Sequence, residues 1–406
     1  MRSIEGRPGR RRLGSLVAAG MLSLAVTACG STNTPSGPTL QQPPTANMKP
    51  QTSIGAGENA LNLIDWPGYV DRTWTAPSVA SFEQQSGCKV TVHDAQSSDE
   101  MVTLMANGGG GQWDMVSASG DADLRLIYGG DVKPMNPALI PDYQNFDDYF
   151  KNPPYNTING IHYGISLQWG PNTLLYNKAK FANPPTSWSV LYDPANSGLV
   201  TVYDYPIQIA DAALYLSKKS PNLKITDPYE LTQTQFNAVV SLLMQQRPLI
   251  KKYWAGASDE ISLFENGDAM VGNAWPYQTN QLISDGKVQV ADTIPQEGAT
   301  GWGDTWMLAT NAKHPNCAYM WEKWVSTPQV QAEQALSFGE TPVNKMACGV
   351  MESLQAGSCK QYHADASAAY FQQIKFWKTP IATCPDGTNN CVTYDKWVAA
   401  WTTITA

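Results

Sequence analysis

Histidine is scarce: four in 406 residues, standing apart at 93, 162, 314 and 363 without the spacing that metal ligands need. No Cys-x-x-Cys, no His-Glu-x-x-His and no Gly-x-Ser-x-Gly occurs, so the usual marks of zinc sites, zinc hydrolases and serine hydrolases are missing. Glycines 108–111 form a run, but no Gly-Lys-Ser/Thr follows. The run closes a helical pattern rather than opening one, which reads as a turn and not a phosphate loop. No internal repeat is present, which sets aside fibrous and solenoid architectures. Beyond residue 28 no stretch is apolar enough to span a bilayer. Basic charge is also short. Taking away residues 1–28 removes five of 27 Lys and Arg and one of 35 Asp and Glu, leaving a formal charge of −12. Such a surface argues against nucleic acid and is compatible with drawing in a cation.

What is present begins with a leader. Arg2, Arg7, Arg10, Arg11 and Arg12 precede an apolar stretch over 13–26, too short for a stable span. Val26-Thr27-Ala28-Cys29-Gly30 then resembles the bacterial lipobox, which implies a signal peptide over 1–28 and a lipid on Cys29. Five prolines among Ser, Thr, Asn and Gln follow, predicting a flexible tether over 29–56. Six cysteines remain after Cys29, an even set that in an exported chain reads as disulfides. Cys348/Cys359 and Cys384/Cys391 are sequence neighbours, which leaves Cys88/Cys317, though six cysteines allow fifteen pairings. Fourteen Trp and eighteen Tyr exceed what a core needs, so many are expected at a cleft or surface.

The body alternates strands and helices. Leu61-Asn62-Leu63-Ile64 runs into Asp65-Trp66-Pro67-Gly68-Tyr69, and a helical face with Val79 and Phe82 stops at Gly87. Lys89-Val90-Thr91-Val92 is a short strand, a helix spans about 100–106, and Asp114-Met115-Val116 opens into Ser119-Gly120-Asp121. This rhythm predicts α/β architecture with a largely parallel sheet, whose ligands sit beyond the carboxyl ends of the strands. Trp66, Tyr69, Ser119 and Asp121 fall there.

Taken together, these segments resemble the bacterial spermidine/putrescine-binding proteins of ABC transporters, over most of 61–378. The resemblance rests on Asp65-Trp66-x-x-Tyr69-Val70, Trp169-Gly170, Thr186-Ser187-Trp188-x-x-Leu191 with Gly198, and Gly267 to Trp275. Its most specific part is Gly298 through Trp302-x-Asp304, then Gly339 and Thr341-Pro342-x-Asn344. It implies a two-lobed periplasmic-binding-protein fold of type II, each lobe a mostly parallel sheet flanked by helices, joined by crossing strands. By analogy lobe 1 is 57–169 plus 305–346 and lobe 2 is 170–304 plus 347–406.

The implied ligand is a polyamine, held by aromatic walls for its methylenes and by carboxylates for its ammonium groups. Trp66, Tyr69, Trp275 and Trp302 match wall positions and offer cation–π attraction. Asp304 matches the carboxylate that pairs a primary amine, Asp204 a second acid and Ser119 a hydrogen-bonding position. The last has an equally ordinary reading as a helix N-cap. Asp121 and Glu340 stand where the family has tyrosines, and an acid of lobe 2 is lost near Pro206 and Ile207. The nine candidates are expected to bind ligand with the acids relocated along the cleft. No cofactor or metal is implied. The expected partners are the small amine and the ABC permease subunits, with membrane contact through the lipid alone and a monomeric chain. A quaternary amine such as choline in the same fold is the alternative ligand. A secreted hydrolase using paired carboxylates such as Asp204 and Asp304 is the rival from another class.

Overall fold

The computed structural model describes residues 41–70 and 78–406. The leader, Cys29 and the first part of the expected tether lie outside the described residues. Two β-sheets organise the rest. The larger, seven-stranded sheet runs in the order Thr341–Pro342, Gly164–Pro171, Ala299–Leu308, Met115–Ser119, Ala60–Asp65, Lys89–Asp94, with Ile374–Phe376 also paired to Ala299–Leu308. The five-stranded sheet runs Val290–Thr293, Thr173–Asn177, Val271–Ala274, Val200–Tyr203, Ile250–Trp254. Each sheet has a parallel part built from strand–helix–strand units, as expected from the sequence rhythm. Each also contains antiparallel pairs, made by the strands that carry the chain between the sheets. Those strands reverse direction relative to their neighbours, so the sheets are mixed.

Both faces of the larger sheet's central strands are covered, so that every residue of Met115–Ser119, Gly164–Pro171 and Ala299–Leu308 is buried. Alternation sends Leu63, Met115, Trp306 and Leu308 to one face, against Val79, Phe82 and Trp321. Ile64, Val116 and Met307 go to the other, against Met101, Met105 and Ile127. The smaller sheet packs Leu174, Val200 and Val271 on Ala213, Phe236 and Trp397, and Leu175 and Ala274 on Phe264 and Leu282. Bridges Cys88–Cys317, Cys348–Cys359 and Cys384–Cys391 are formed.

Packing departs from the expected segment limits in two places. Residues 43–56 are docked rather than extended as a spacer. Pro43 and Thr45 are buried, Thr45 Oγ1 donates to the Val132 carbonyl at 2.8 Å, and Gln51 Nε2 and Gly55 N both donate to Asn316 Oδ1. Composition shows that the stretch is polar but not that each polar group has a partner on the body. Residues 299–304 and 347–376, expected in lobe 2, pair and pack largely with the larger sheet, while Ala299 and Trp302 also join the smaller sheet's core. Ala299–Leu308 enters the larger sheet at its first residue, Ile374–Phe376 pairs beside it, and Ala347 and Met351 pack on Ala332 and Ala335. Small alanine side chains let that helix lie close to Pro328–Phe338. From Trp377 onward the chain joins the smaller sheet's core, through Val392, Trp397, Trp401 and Ile404.

Candidate functional site

A cavity of about 370 Å³ opens between the two sheets. Its wall is assembled from strand ends. Trp66 follows Ala60–Asp65, Ser119 ends Met115–Ser119, Tyr203 ends Val200–Tyr203, Trp275 follows Val271–Ala274 and Trp377 follows Ile374–Phe376. Trp302 and Asp304 come from the middle of the long crossing strand Ala299–Leu308. This is the carboxyl-end placement that α/β sheets impose on their ligands.

The polar corner has four members. Ser119 Oγ donates to Asp304 Oδ1 at 2.5 Å. The Tyr69 hydroxyl meets both Asp304 Oδ2 and Glu340 Oε1, the latter at 2.9 Å. Ser119 stands at the N-cap of the helix Gly120–Gly129 but makes no capping bond; its hydroxyl serves Asp304 instead. Asp304 is 1% exposed and Glu340 4%. Burial pushes the Asp304 carboxyl up to about 7, with the Ser119 and Tyr69 hydroxyls pulling the other way. Burial, and then the neighbouring Asp304 charge, push Glu340 well above the carboxylate range. Asp65, directly before Trp66, is raised by burial as well. Three carboxyl groups thus crowd one corner, and none of them forms an ion pair with a described lysine or arginine.

Aromatic rings make the rest of the wall. Tyr203 stacks on Trp254 at 4.5 Å and meets Trp275 edge-on at 5.3 Å, so one wall is a rigid ring cluster. Phe338 takes the Tyr69 ring edge-on at 4.7 Å and stacks with Tyr277 from the other side. Trp302 lies against Gly170, where a Cβ would come within 2.5 Å of the indole. That contact gives the Trp169-Gly170 pair a physical reason. The Ser187-Trp188 motif is structural: Ser187 donates to Glu297 and Trp188 Nε1 to the Gly298 carbonyl.

Of the nine candidates, seven line the cavity: Trp66, Tyr69, Ser119, Trp275, Trp302, Asp304 and Glu340. Asp204 does not. It is exposed and accepts from Trp401 Nε1 at 2.9 Å. The strand ends at Tyr203 and the chain turns there, Tyr205 N donating to the Tyr203 carbonyl at 3.0 Å, so that Tyr203 and Tyr205 reach the cavity and Asp204 does not. Asp121 is fully buried behind the wall, accepting from Ser98 Oγ at 3.1 Å and from Tyr205 OH at 2.7 Å. Tyr203, Tyr205, Tyr277, Phe338 and Trp377 line the cavity without having been singled out. Tyr203 carried a usable signal, the last residue of a strand; 255–258, also on the wall, carries none.

Residues 78–348 match the family described as bacterial extracellular solute-binding protein. The chain belongs to that family. Its members bind substrate and are not enzymes. Among curated relatives, this solute-binding protein is 26% identical over 302 residues to the putrescine-binding periplasmic protein PotF of Escherichia coli (strain K12), covering 69% of this chain and 76% of that one. It is 22% identical over 318 residues to the putrescine/agmatine-binding protein of Pseudomonas aeruginosa, covering 74% and 82%. In fold it is similar to the Tp0655 (TpPotD) lipoprotein of Treponema pallidum, with a TM-score of 0.67, 16% identity and coverage of 85% and 99%. The two-lobed periplasmic-binding-protein architecture expected from the sequence is the one these neighbours share.

Proposed function

We propose that this solute-binding protein takes up a polyamine-class cation in the cavity and passes it to an ABC permease, with Cys29 as its lipid anchor. The observation that carries the ligand reading is the corner formed by Asp304, Glu340 and Tyr69. Two buried carboxyl groups share one phenol and face a cavity walled by indole and phenol rings. A buried carboxylate without a counter-charge is costly, and an alkylammonium supplies both charge and donors. Tryptophan faces cover the methylenes and add about 0.5–2 kcal/mol of cation–π attraction each. Curated relatives named for putrescine support the ligand class, and the lipobox supports the anchor.

Isothermal calorimetry of the purified protein against putrescine, spermidine and choline tests the reading. Putrescine or spermidine is expected to bind, with affinity cut at least about 30-fold by Asp304→Asn and about tenfold by Trp302→Ala. Binding of choline alone would move the ligand to quaternary amines. Polyamine binding untouched by Asp304→Asn would remove the corner from the site. Radiolabelled palmitate incorporation, lost in Cys29→Ser, tests the anchor.

A further inference from the structure

The cavity's charge is one-sided. Its lining carboxyl groups among the described residues are Asp304 and Glu340, and both meet the same Tyr69 hydroxyl. The wall away from that corner comes from Tyr203, Tyr205, Trp275 and residues 255–258, in a stretch where every residue is described, and no acid is among them.

None of the nearby acids of that half lines the cavity: Glu260 is fully buried, and the others have partners elsewhere. Asp204 is turned out to Trp401. Asp211 accepts from Thr300 and Asn273. Asp259 pairs with Lys252 at 3.1 Å and accepts from Ala255 N. Asp292 accepts from Thr173 and Thr279. Behind the wall, Asp121 is saturated by Ser98 and Tyr205, with Arg125 3.8 Å away to balance it. The helix Ala257–Glu265 also begins at the far end, and its amino end carries partial positive charge.

We propose that this cavity recognises one ammonium group, at the Tyr69–Asp304–Glu340 corner, and takes the rest of its ligand as a slender tail needing no charge. The ligand class then includes primary monoamines, and a diamine is held by one end only. This rests on the reading that the cavity binds an amine, and narrows how. A second ammonium at the far wall exchanges hydration for ring faces and a helix amino end, with no carboxylate to repay the desolvation. Pointing out of the mouth instead, it stays in water and adds nothing.

Calorimetry of the full protein with putrescine, n-butylamine and 4-aminobutan-1-ol tests this, because the three share a four-carbon chain and one ammonium. The two monoamines are expected within about fivefold of putrescine. A preference for putrescine beyond about fivefold overturns the inference while leaving the amine reading standing. Binding of none of the three overturns this inference, and silence of spermidine and choline as well sinks the amine reading with it. Ser258→Asp supplies the missing carboxylate at the far wall, and the ratio of putrescine to butylamine affinity is expected to rise about tenfold. An unchanged ratio overturns the placement of the tail.

Discussion

Burial holds the Asp304 carboxyl near 7 even though two hydroxyls donate to it, because water cannot reach the charge. Its folded value lies above the ordinary carboxylate value of about 3.9, so the folded state holds more protons than the unfolded one between those limits. The sign follows: the stabilising contribution is present below about pH 4 and is lost as pH rises through about 7. Glu340 and Asp65 shift in the same direction. The ligand-free protein is therefore expected to lose thermal stability between pH 5 and pH 8, and Asp304→Asn to flatten that slope and raise the melting temperature at pH 8 by about 2 °C or more. Differential scanning fluorimetry across pH reads both effects, and a slope unaltered in the variant would count against a buried, raised Asp304. A cationic ligand favours the ionised form. Affinity should then climb with pH up to about 7, with a proton released on binding, seen as a heat that varies with the ionisation enthalpy of the buffer.

Single elements show how little of their role lies in their composition. The stretch 41–56 is proline-rich and polar, the profile of a spacer. Its Thr45 is nonetheless 6% exposed and bonded to Val132, and Asn136 Nδ2 donates to the Gln51 carbonyl. Deleting residues 41–56 is expected to lower the melting temperature by several degrees, about 1 kcal/mol being at stake for each lost buried bond. An unaltered melting curve would show the segment to be dispensable. The end of strand Val200–Tyr203 shows the same. A carboxylate was legible at Asp204, but the turn that follows the strand leaves Tyr203 and Tyr205 on the cavity and Asp204 exposed. Gly170 is the converse case. A Cβ there would occupy the place of the Trp302 indole, so Gly170→Ala should cost ligand affinity by displacing that wall, measurable in the same calorimetry.

Across the whole molecule, the two sheets are joined by a polar cluster beside the cavity. Asp121 and Asp99, from helices on the larger sheet, meet Tyr205 and Tyr394 from the smaller sheet's side. Tyr205 OH donates to Asp121 at 2.7 Å and lies 2.9 Å from Tyr394 OH, which donates to Asp99 at 3.1 Å. Arg125 lies 4.2 Å over the Tyr394 ring and pairs with Asp99 at 2.5 Å. These bonds tie the two halves together beside the cavity. Tyr205→Phe keeps the ring and removes the hydroxyl. It should speed ligand release about fivefold to tenfold in stopped-flow displacement, and lower the melting temperature by a few degrees through the lost bonds to buried Asp121 and Tyr394. A release rate equal to that of the unaltered protein would deny the cluster this role.

The sequence by itself determined the alternating elements, the carboxyl-end position of Trp66 and Ser119, the family, and most residues of the polar corner. Each of these depends on local periodicity or on short motifs with fixed spacing, which survive in one dimension. Only the tertiary structure decided that Asp121 joins the two halves rather than lining the cavity, that Asp204 is exposed, and that 43–56 is docked. It also brought Tyr69, Asp304 and Glu340 together from positions 235 and 271 residues apart in the chain. Whether a carboxylate pairs a ligand, a tyrosine or water depends on what packs around it, and that is set by contacts distant in sequence.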